Sequence, residues 1–508
     1  MLSDPLVVGV DVGSQGTCAQ ALEADGTLVA TSYAAHALRY PRPGWAEQDP
    51  AEWTAALVRT LAEIRAATAG REIAALSFGS QLDGVVAADA DGAPLHPALI
   101  WCDRRAGDVC SEVAARTDLE RLRELTGCNL DAGHIAPKIG WLARHEPDVF
   151  QHAATFACPG AWVAWRATGE LAVDPSNASS TGVLDPRARE WSSEACAAFD
   201  LDPARLPPVR PAHAVLGPIR EWLRDAAGLD PGTLVVLGAG DEMAATLGAG
   251  VVEPGVVCDV MGTAEPVCAV VGEPAHDPTG VVELHPHATP DTWLLENPGW
   301  LSGGAYRWFR DELGGPEAAR AAATGADVYE LLNQLADNAP PGAAGVSWIP
   351  ALAGAMAPEW NADARAGWFG VTAAHGRAHL ARALLEGNAL ALRDVIDAIA
   401  GAGHAATEVV CVGGGAKGRL LRQLRANVTG LPVSRPHDVE TTARGAAMLA
   451  AAGAELHPTV AAAGRAMAGP RGEPLQPDPE LRDLYDGLHR RHLRLYAALR
   501  PLFDGGSD

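Results

Sequence analysis

The chain has no Cys-x-x-Cys pair, no excess of basic residues, and no apolar run approaching the ~20 residues that a membrane-spanning helix needs. Its nine cysteines are scattered from Cys18 to Cys411. That spacing indicates neither a zinc site nor a disulfide framework and fits reduced, buried thiols. With 63 acidic against 39 basic residues the formal charge is −24, which argues against a phosphate-backbone surface, because such surfaces cluster lysine and arginine. Neither nucleic acid nor a membrane is expected as a partner. The first apolar stretch, Leu6 to Val10, is short and follows Asp4 rather than a basic residue, so no secretion signal is read there. A cytoplasmic protein is the expectation, and a homodimer is compatible with it.

What is present is a globular composition, 48% hydrophobic and 20% charged, over 508 residues. That length is too great for one core and suits two lobes. Val7 to Val12 reads as a buried strand ending at Asp11 and a glycine turn, followed by a second strand and the Asp25-Gly26 hairpin signal. A helix from Pro50 to Ala67 and a strand from Ile73 to Phe78 extend this into an α/β core with a mixed sheet. The opening pattern of strand, aspartate, glycine and threonine recurs from Gly255 to Thr263, as a duplicated domain would make it. The lobe boundary is expected between 245 and 255, giving ranges 1–250 and 251–508. The alanine tracts at 451–452 and 461–463 read as helix.

Three turns carry chemistry. Gly13, Ser14, Gln15, Gly16 and Thr17 follow Asp11, where glycines let backbone approach phosphate and a carboxylate can hold Mg²⁺ through water; an ordinary glycine hairpin is the alternative. Leu237 to Gly248 is a strand, a glycine turn and a helix with Asp241 at its start. Asp241 there is either an N-cap or a general base for phosphoryl transfer. Val409 to Lys417 enters a triple-glycine turn and then a helix through Asn427. It is neither a P-loop nor a dinucleotide fingerprint, and three glycines there allow flat contact with a purine or ribose or form a plain strand-to-helix turn.

Taken in order, these segments resemble the FGGY family of carbohydrate kinases, with xylulokinases nearest. Further matches are Gly44 to Pro50 with Trp53, Pro97 to Trp101, Ala136 to Trp141, Asp174 to Thr181, Gly367 to Val371, and His379 to Gly387. The resemblance implies two actin-like (ribonuclease H-like) α/β domains around a central cleft, as in actin, hexokinase and the heat-shock ATPases. It implies an N-terminal domain that mainly binds sugar and carries the first phosphate loop, and a C-terminal domain that mainly binds nucleotide. It assigns Asp241 as the catalytic base, Asp11 and Asp241 to Mg²⁺, and Gly13, Ser14, Gln15, Thr17, Gly262, Thr263, Gly303, Gly414, Gly415 and Ala416 to ATP. It places Gln81, Leu82, Asp83, Asp241 and Glu242 around the substrate.

The departures bear on substrate. Cys18 stands where many family members carry lysine or arginine, so one cationic phosphate contact is missing. Gln81-Leu82-Asp83-Gly84 replaces the glutamine-methionine-histidine-glycine of xylulokinases, Glu242 replaces asparagine after the base, and Pro159-Gly160-Ala161 replaces proline-lysine-aspartate. Asp83 is either a hydroxyl acceptor, as suits a polyhydroxylated ligand, or a solvated turn residue. Asp103, Arg104 and Arg105 read as a structural ion-pair group. The expectation is ATP-dependent phosphorylation of a ketose or polyol, D-xylulose first. Ribulose, a tetritol or pentitol and a glycerol-like acceptor are alternatives, as are a non-catalytic sugar sensor and an ATPase acting on a protein.

Overall fold

The computed structural model describes residues 5–68 and 70–503. Residues 1–4, 69 and 504–508, including the outer ends of both expected lobes, lie outside the described residues. The first sheet is built from β1 (Leu6–Val12), β2 (Gly16–Leu22), β3 (Leu28–Ala35), β4 (Ile73–Ser80), β5 (Val215–Pro218) and β6 (Leu234–Gly240) in the order β5-β6-β4-β1-β2-β3. β1, β2 and β3 form an antiparallel meander, and β4 and β6 add in parallel. β1 is apolar along nearly its whole length because it lies in the middle of a sheet covered on both faces. One cover is α1 (Pro50–Ala67), which starts on a proline, is capped by Asp49 accepting from the Ala51 N–H at 2.9 Å, and buries Trp53, Leu57, Leu61 and Ile64.

The second sheet repeats the plan. β7 (Val256–Val260), β8 (Val267–Val271), β9 (Glu283–Pro286), β10 (Trp293–Asn297), β11 (Glu408–Val412) and β12 (Val433–Ser434) lie in the order β9-β10-β8-β7-β11-β12. Again an antiparallel trio, β10-β8-β7, is followed by two parallel strands. The weak repeat seen in sequence at Asp11 and Asp259 therefore marks the same strand position in a five-strand arrangement that both sheets share, the sixth strand lying on opposite edges. Among the described residues no helix is long and apolar enough to cross a membrane.

Four helices set the site. α2 (Asp241–Gly248) leaves β6 directly, α3 (Ser302–Leu313) follows the second phosphate-type turn, α4 (Arg377–Gly401) backs the second sheet, and α5 (Arg419–Thr429) follows the triple glycine. A late helix, α6 (Thr442–Gly453), returns to lie on β1, β4 and α2. Its approach is closer than any side chain allows. A Cβ on Gly9 would overlap the Ala443 carbonyl, one on Gly445 the Ala244 carbonyl, and one on Gly248 the Thr441 carbonyl. Arg444, buried beside them, donates to the carbonyls of Gly26 at 2.7 Å and Met467 at 2.8 Å.

Gly445→Val should therefore lower stability by ~1–3 kcal/mol, since the neighbour is backbone and cannot rotate away. Gly401→Ala, with nothing within 4 Å of the added methyl, should stay within ~0.5 kcal/mol of the parent. Urea unfolding of the two variants checks this; equal midpoints would mean that the α2–α6 contact tolerates separation.

Candidate active site

Asp11 sits near the end of β1, opposite Cys18 on β2 and Gly79 on β4. The turn beyond it is closed by the Gly13 N–H donating to Gly16 O at 3.0 Å. Asp11 Oδ1 is cut off from solvent and has no partner. Burial, then the charges of Asp241 and Glu440, hold its carboxyl well above the usual carboxylate range. An orphaned carboxylate oxygen beside a second carboxylate fits a divalent cation, which would neutralise both. Cys18 supplies no charge: burial first, then Asp11, pushes its thiol up to about 11.

Asp241 is the first residue of α2 and not its cap. Gly240 holds the cap position without a side chain, and Asp241 Oδ1 accepts from the Glu242 N–H at 3.1 Å. The turn is braced from below. The Gly240 N–H donates to Ser176 Oγ at 2.9 Å, the Ser176 hydroxyl donates to Asp174, and Asn177 Nδ2 donates to Asp174 Oδ1 at 2.6 Å. Ser80 at the end of β4 reaches Asn177 Oδ1 at 3.3 Å. The Asp174 to Thr181 stretch thus holds the ends of two parallel strands in place. Burial raises the Asp241 carboxyl to about 7, with Glu296 and Asp83 contributing, a value suited to a base working near neutrality.

Asp241, Glu242, Gln81, Leu82 and Asp83 all line one cavity of about 680 Å³, as do Ser14, Gln15 and Thr263. They do not have equal freedom. Gln81 is 1% exposed, and its amide is used up, with Nε2 donating to Gln48 Oε1 at 2.7 Å and Oε1 accepting from Ser14 Oγ at 3.3 Å. Gln48 Nε2 donates in turn to Ser14 O at 2.6 Å, so the pair fixes the first glycine turn. Leu82 packs over Gly240. Asp83 has a left-handed backbone (φ 60°), its carbonyl accepts from buried Lys138 Nζ at 2.7 Å, and its Oδ1 lies 2.9 Å from His134 Nδ1. About a quarter of its side chain is exposed, toward the cavity it lines. A plain solvated turn residue would have neither partner.

The sequence reading missed the opposite wall. Glu283 and His285 point the same way from β9, and Glu296 on β10 stands directly across from Glu283. His285 Nε2 lies 3.1 Å from Glu296 and 3.4 Å from Glu283, and its Nδ1 is 2.7 Å from Ser179 Oγ. Although burial opposes the charge, Glu296 and Glu283 raise His285 to about 10. Glu242, by burial and then by the neighbouring Glu296 carboxylate, is held well above its ordinary value. The alternation Glu283-Leu284-His285 was a visible period-two signal, but nothing local said that its polar face was buried as well as its apolar one. Of the ion-pair group, Arg105 is the structural member. It is bound to Asp103 at 2.8 Å and Glu47 at 2.7 Å and stacked on Trp45, whereas Arg104 turns into the cavity beside Asp131.

A second cavity, about 500 Å³, meets the first at Thr263 and is lined by Gly262, Gly303, Gly414 and Gly415. A Cβ on Gly303 would overlap the Gly262 carbonyl, so α3 can start against the phosphate-type turn only with glycine there. Ala416 and Thr17 are fully buried and line neither of these two cavities. Beneath the turn, buried Arg425 donates to Asp259 at 2.6 Å and Glu265 at 2.5 Å. Arg307 and Lys417 line this cavity, and Arg307 Nη2 donates to Thr263 Oγ1 at 3.3 Å. They place two basic side chains in this cavity.

Residues 6–248 match the N-terminal domain of the FGGY family of carbohydrate kinases, and residues 259–454 match its C-terminal domain. An autoinducer-2 kinase of Salmonella paratyphi A is 33% identical over 448 residues, covering 87% of this chain and 84% of its own. A glycerol kinase of Bordetella parapertussis is 32% identical over 469 residues, covering 89% of each chain. The crystal structure of xylulose kinase from Rhodospirillum rubrum superposes with a TM-score of 0.89 at 31% identity, covering 98% of this chain and 100% of that one. Since both domains match in order over most of the chain, the chain belongs to the FGGY family of carbohydrate kinases and is an ATP-dependent sugar or polyol kinase.

Proposed function

We propose that the enzyme phosphorylates a terminal hydroxyl of a ketose or polyol, with D-xylulose the leading acceptor, and that Asp241 is its general base. One observation carries this reading: the Asp241 carboxylate lines the acceptor cavity, which shares Thr263 with the glycine-lined one, and its affinity for a proton is raised to about 7. The residue range 1–250 then mainly holds the acceptor, and 251–508 mainly holds ATP. Asp241 takes the hydroxyl proton as the hydroxyl oxygen bonds to the γ-phosphorus and the β–γ bridging bond breaks, giving the sugar phosphate and ADP. Gly13, Gly262, Gly303, Gly414 and Gly415 allow backbone amides to approach the nucleotide. Asp11, with Asp241, would hold Mg²⁺, which supplies charge neutralisation for the phosphates. Closing the lobes excludes water from Asp241 and limits hydrolysis of ATP.

A second acceptor class has its own support. The carboxylates of Asp83, Glu283 and Glu296 make an acceptor-rich wall, which suits a ligand with several hydroxyl donors and rejects an anionic sugar acid. Other pentuloses and open-chain polyols belong to that class. ADP release with a panel of ketoses, polyols and aldonates separates these readings. A neutral pentulose or polyol should lead and aldonates should fail; no stimulation by any neutral acceptor would leave a sugar sensor.

Three substitutions probe the roles. Asp241→Asn should cut kcat by ~10²–10⁴-fold while the melting temperature holds, because the amide keeps the shape but cannot accept the proton; more than a tenth of parental kcat removes the assignment. Arg307→Ala should raise the KM for ATP by ~10–100-fold, the loss of one charge-assisted contact, and leave the acceptor KM alone. Asp83→Ala should lower kcat/KM for the best acceptor by ~10–10³-fold. A change under twofold would make Asp83 a turn residue only.

A further inference from the structure

The side chains of Cys128, His134 and Glu283 form a small cluster at the acceptor-cavity wall, and the phosphoryl-transfer step itself uses none of them. Their ligating atoms all lie within 4.8 Å of one another. All three residues are buried, at 2%, 6% and 3% exposure. They are 6 and 149 or more residues apart in sequence, which is why cysteine spacing gave no sign of them. His134 Nε2 is buried and has no hydrogen-bond partner, and its nearest acidic neighbour is Glu283 Oε1 at 3.6 Å. The other ring nitrogen is already committed, 2.9 Å from Asp83 Oδ1. A carboxylate on one imidazole nitrogen, with the second nitrogen free of any hydrogen bond and 3.6 Å from another carboxylate, is an arrangement that orients histidine toward a metal. The third ligand is held in the same way, since Glu283 Oε1 accepts from the Asn129 N–H at 2.6 Å and His285 Nε2 lies 3.4 Å from Glu283 Oε2.

We propose that Cys128, His134 and Glu283 bind a thiophilic divalent cation, zinc by the chemistry of the set, at a site separate from that of the nucleotide's metal. One soft, one borderline and one hard ligand make a three-residue zinc set with the fourth position open. Donor atoms on a tetrahedral zinc stand ~3–4 Å apart, so the cluster has to contract by only about 1 Å. Binding displaces two protons, one from the Cys128 thiol and one from His134. Burial keeps the thiol protonated in the metal-free protein, and Asp83 and Glu283 hold the imidazolium proton on against burial. Asp83, His134 and Glu283 line the acceptor cavity and Cys128 lies behind them, so the open position faces the acceptor. It would take a hydroxyl or carbonyl oxygen of that ligand. This last step rests on the reading of that cavity as the acceptor site; the metal site itself does not.

The test is metal content of the full-length, tag-free protein after zinc loading and gel filtration, by elemental mass spectrometry, with cobalt(II) as a spectroscopic probe. About one zinc per chain should survive in the parent and in Cys102→Ser, a partly buried cysteine outside the cluster. Cys128→Ser, His134→Gln and Glu283→Gln should each lose at least tenfold in zinc affinity measured against a chromogenic chelator. Cobalt should give a thiolate charge-transfer band in the near ultraviolet that Cys128→Ser abolishes. Zinc should raise the parent's melting temperature, and circular dichroism confirms that each variant is folded; if Cys128→Ser fails to fold, Glu283→Gln and the parent's cobalt spectrum decide. No zinc retention and no cobalt–thiolate band in the parent, or equal zinc affinity in the folded variants, overturns the proposal and leaves a His134 imidazolium bridging Asp83 and Glu283. Zinc bound to a chain that phosphorylates no acceptor would instead count against the acceptor reading alone.

Discussion

The architecture depends on one close contact, the backbone-to-backbone seating of α6 on β1 and α2. Glycine at 9, 248 and 445 removes the side chains that would hold the helices and strand apart. The chain returns here after building the second sheet, so this contact ties late sequence to the first strand and lays it along the helix that starts at Asp241. Dispersion is weak per atom pair, about 0.1–0.2 kcal/mol, but it sums over many close pairs and falls off quickly with separation. A single added methyl group there shifts backbone and not a mobile side chain. Asp11 at the end of β1 and Asp241 at the start of α2 are thereby held on one rigid frame.

The two sheets make different use of the same strand position. Asp259 on β7 is buried but paired, with Arg425 bridging it to Glu265 and pinning the turn that carries Gly262 and Thr263. Asp11 on β1 is left without a partner, next to Asp241. An unpaired buried carboxylate is costly, and a protein built for stability alone would pair it as Asp259 is paired. The matching strands thus hold one aspartate that is paired and one that is left without a partner.

The acceptor wall shows the same economy of charge. From Asp83 through His134, Glu283, His285 and Glu296 to Glu242, acid and base alternate until the last pair, where two carboxyl groups meet and Glu242 is pushed toward its neutral form. The chain of contacts crosses from the first-lobe segment at 83–134 to the hairpin β9-β10 of the second sheet. It therefore exists only in the assembled cleft. Pockets of this kind select by leaving buried polar groups unpaired when the wrong ligand enters.

Sequence alone determined the elements whose cause is local. The apolar β1 strand, the proline start and Asp49 cap of α1, the glycine turns after Asp11 and Val412, and the helix at Asp241 all follow from propensity and periodicity over a few residues. Resemblance added the order of the parts. Tertiary structure decided what those residues face. It turned Gln81 into a brace for the first glycine turn, separated Arg105 from Arg104, left Ala416 buried and outside the glycine-lined cavity, and brought Cys128, His134 and Glu283 together across more than 150 residues. The physical reason is that charge and hydrogen-bond pairing depend on distance and burial in space, and neither is encoded in spacing along the chain.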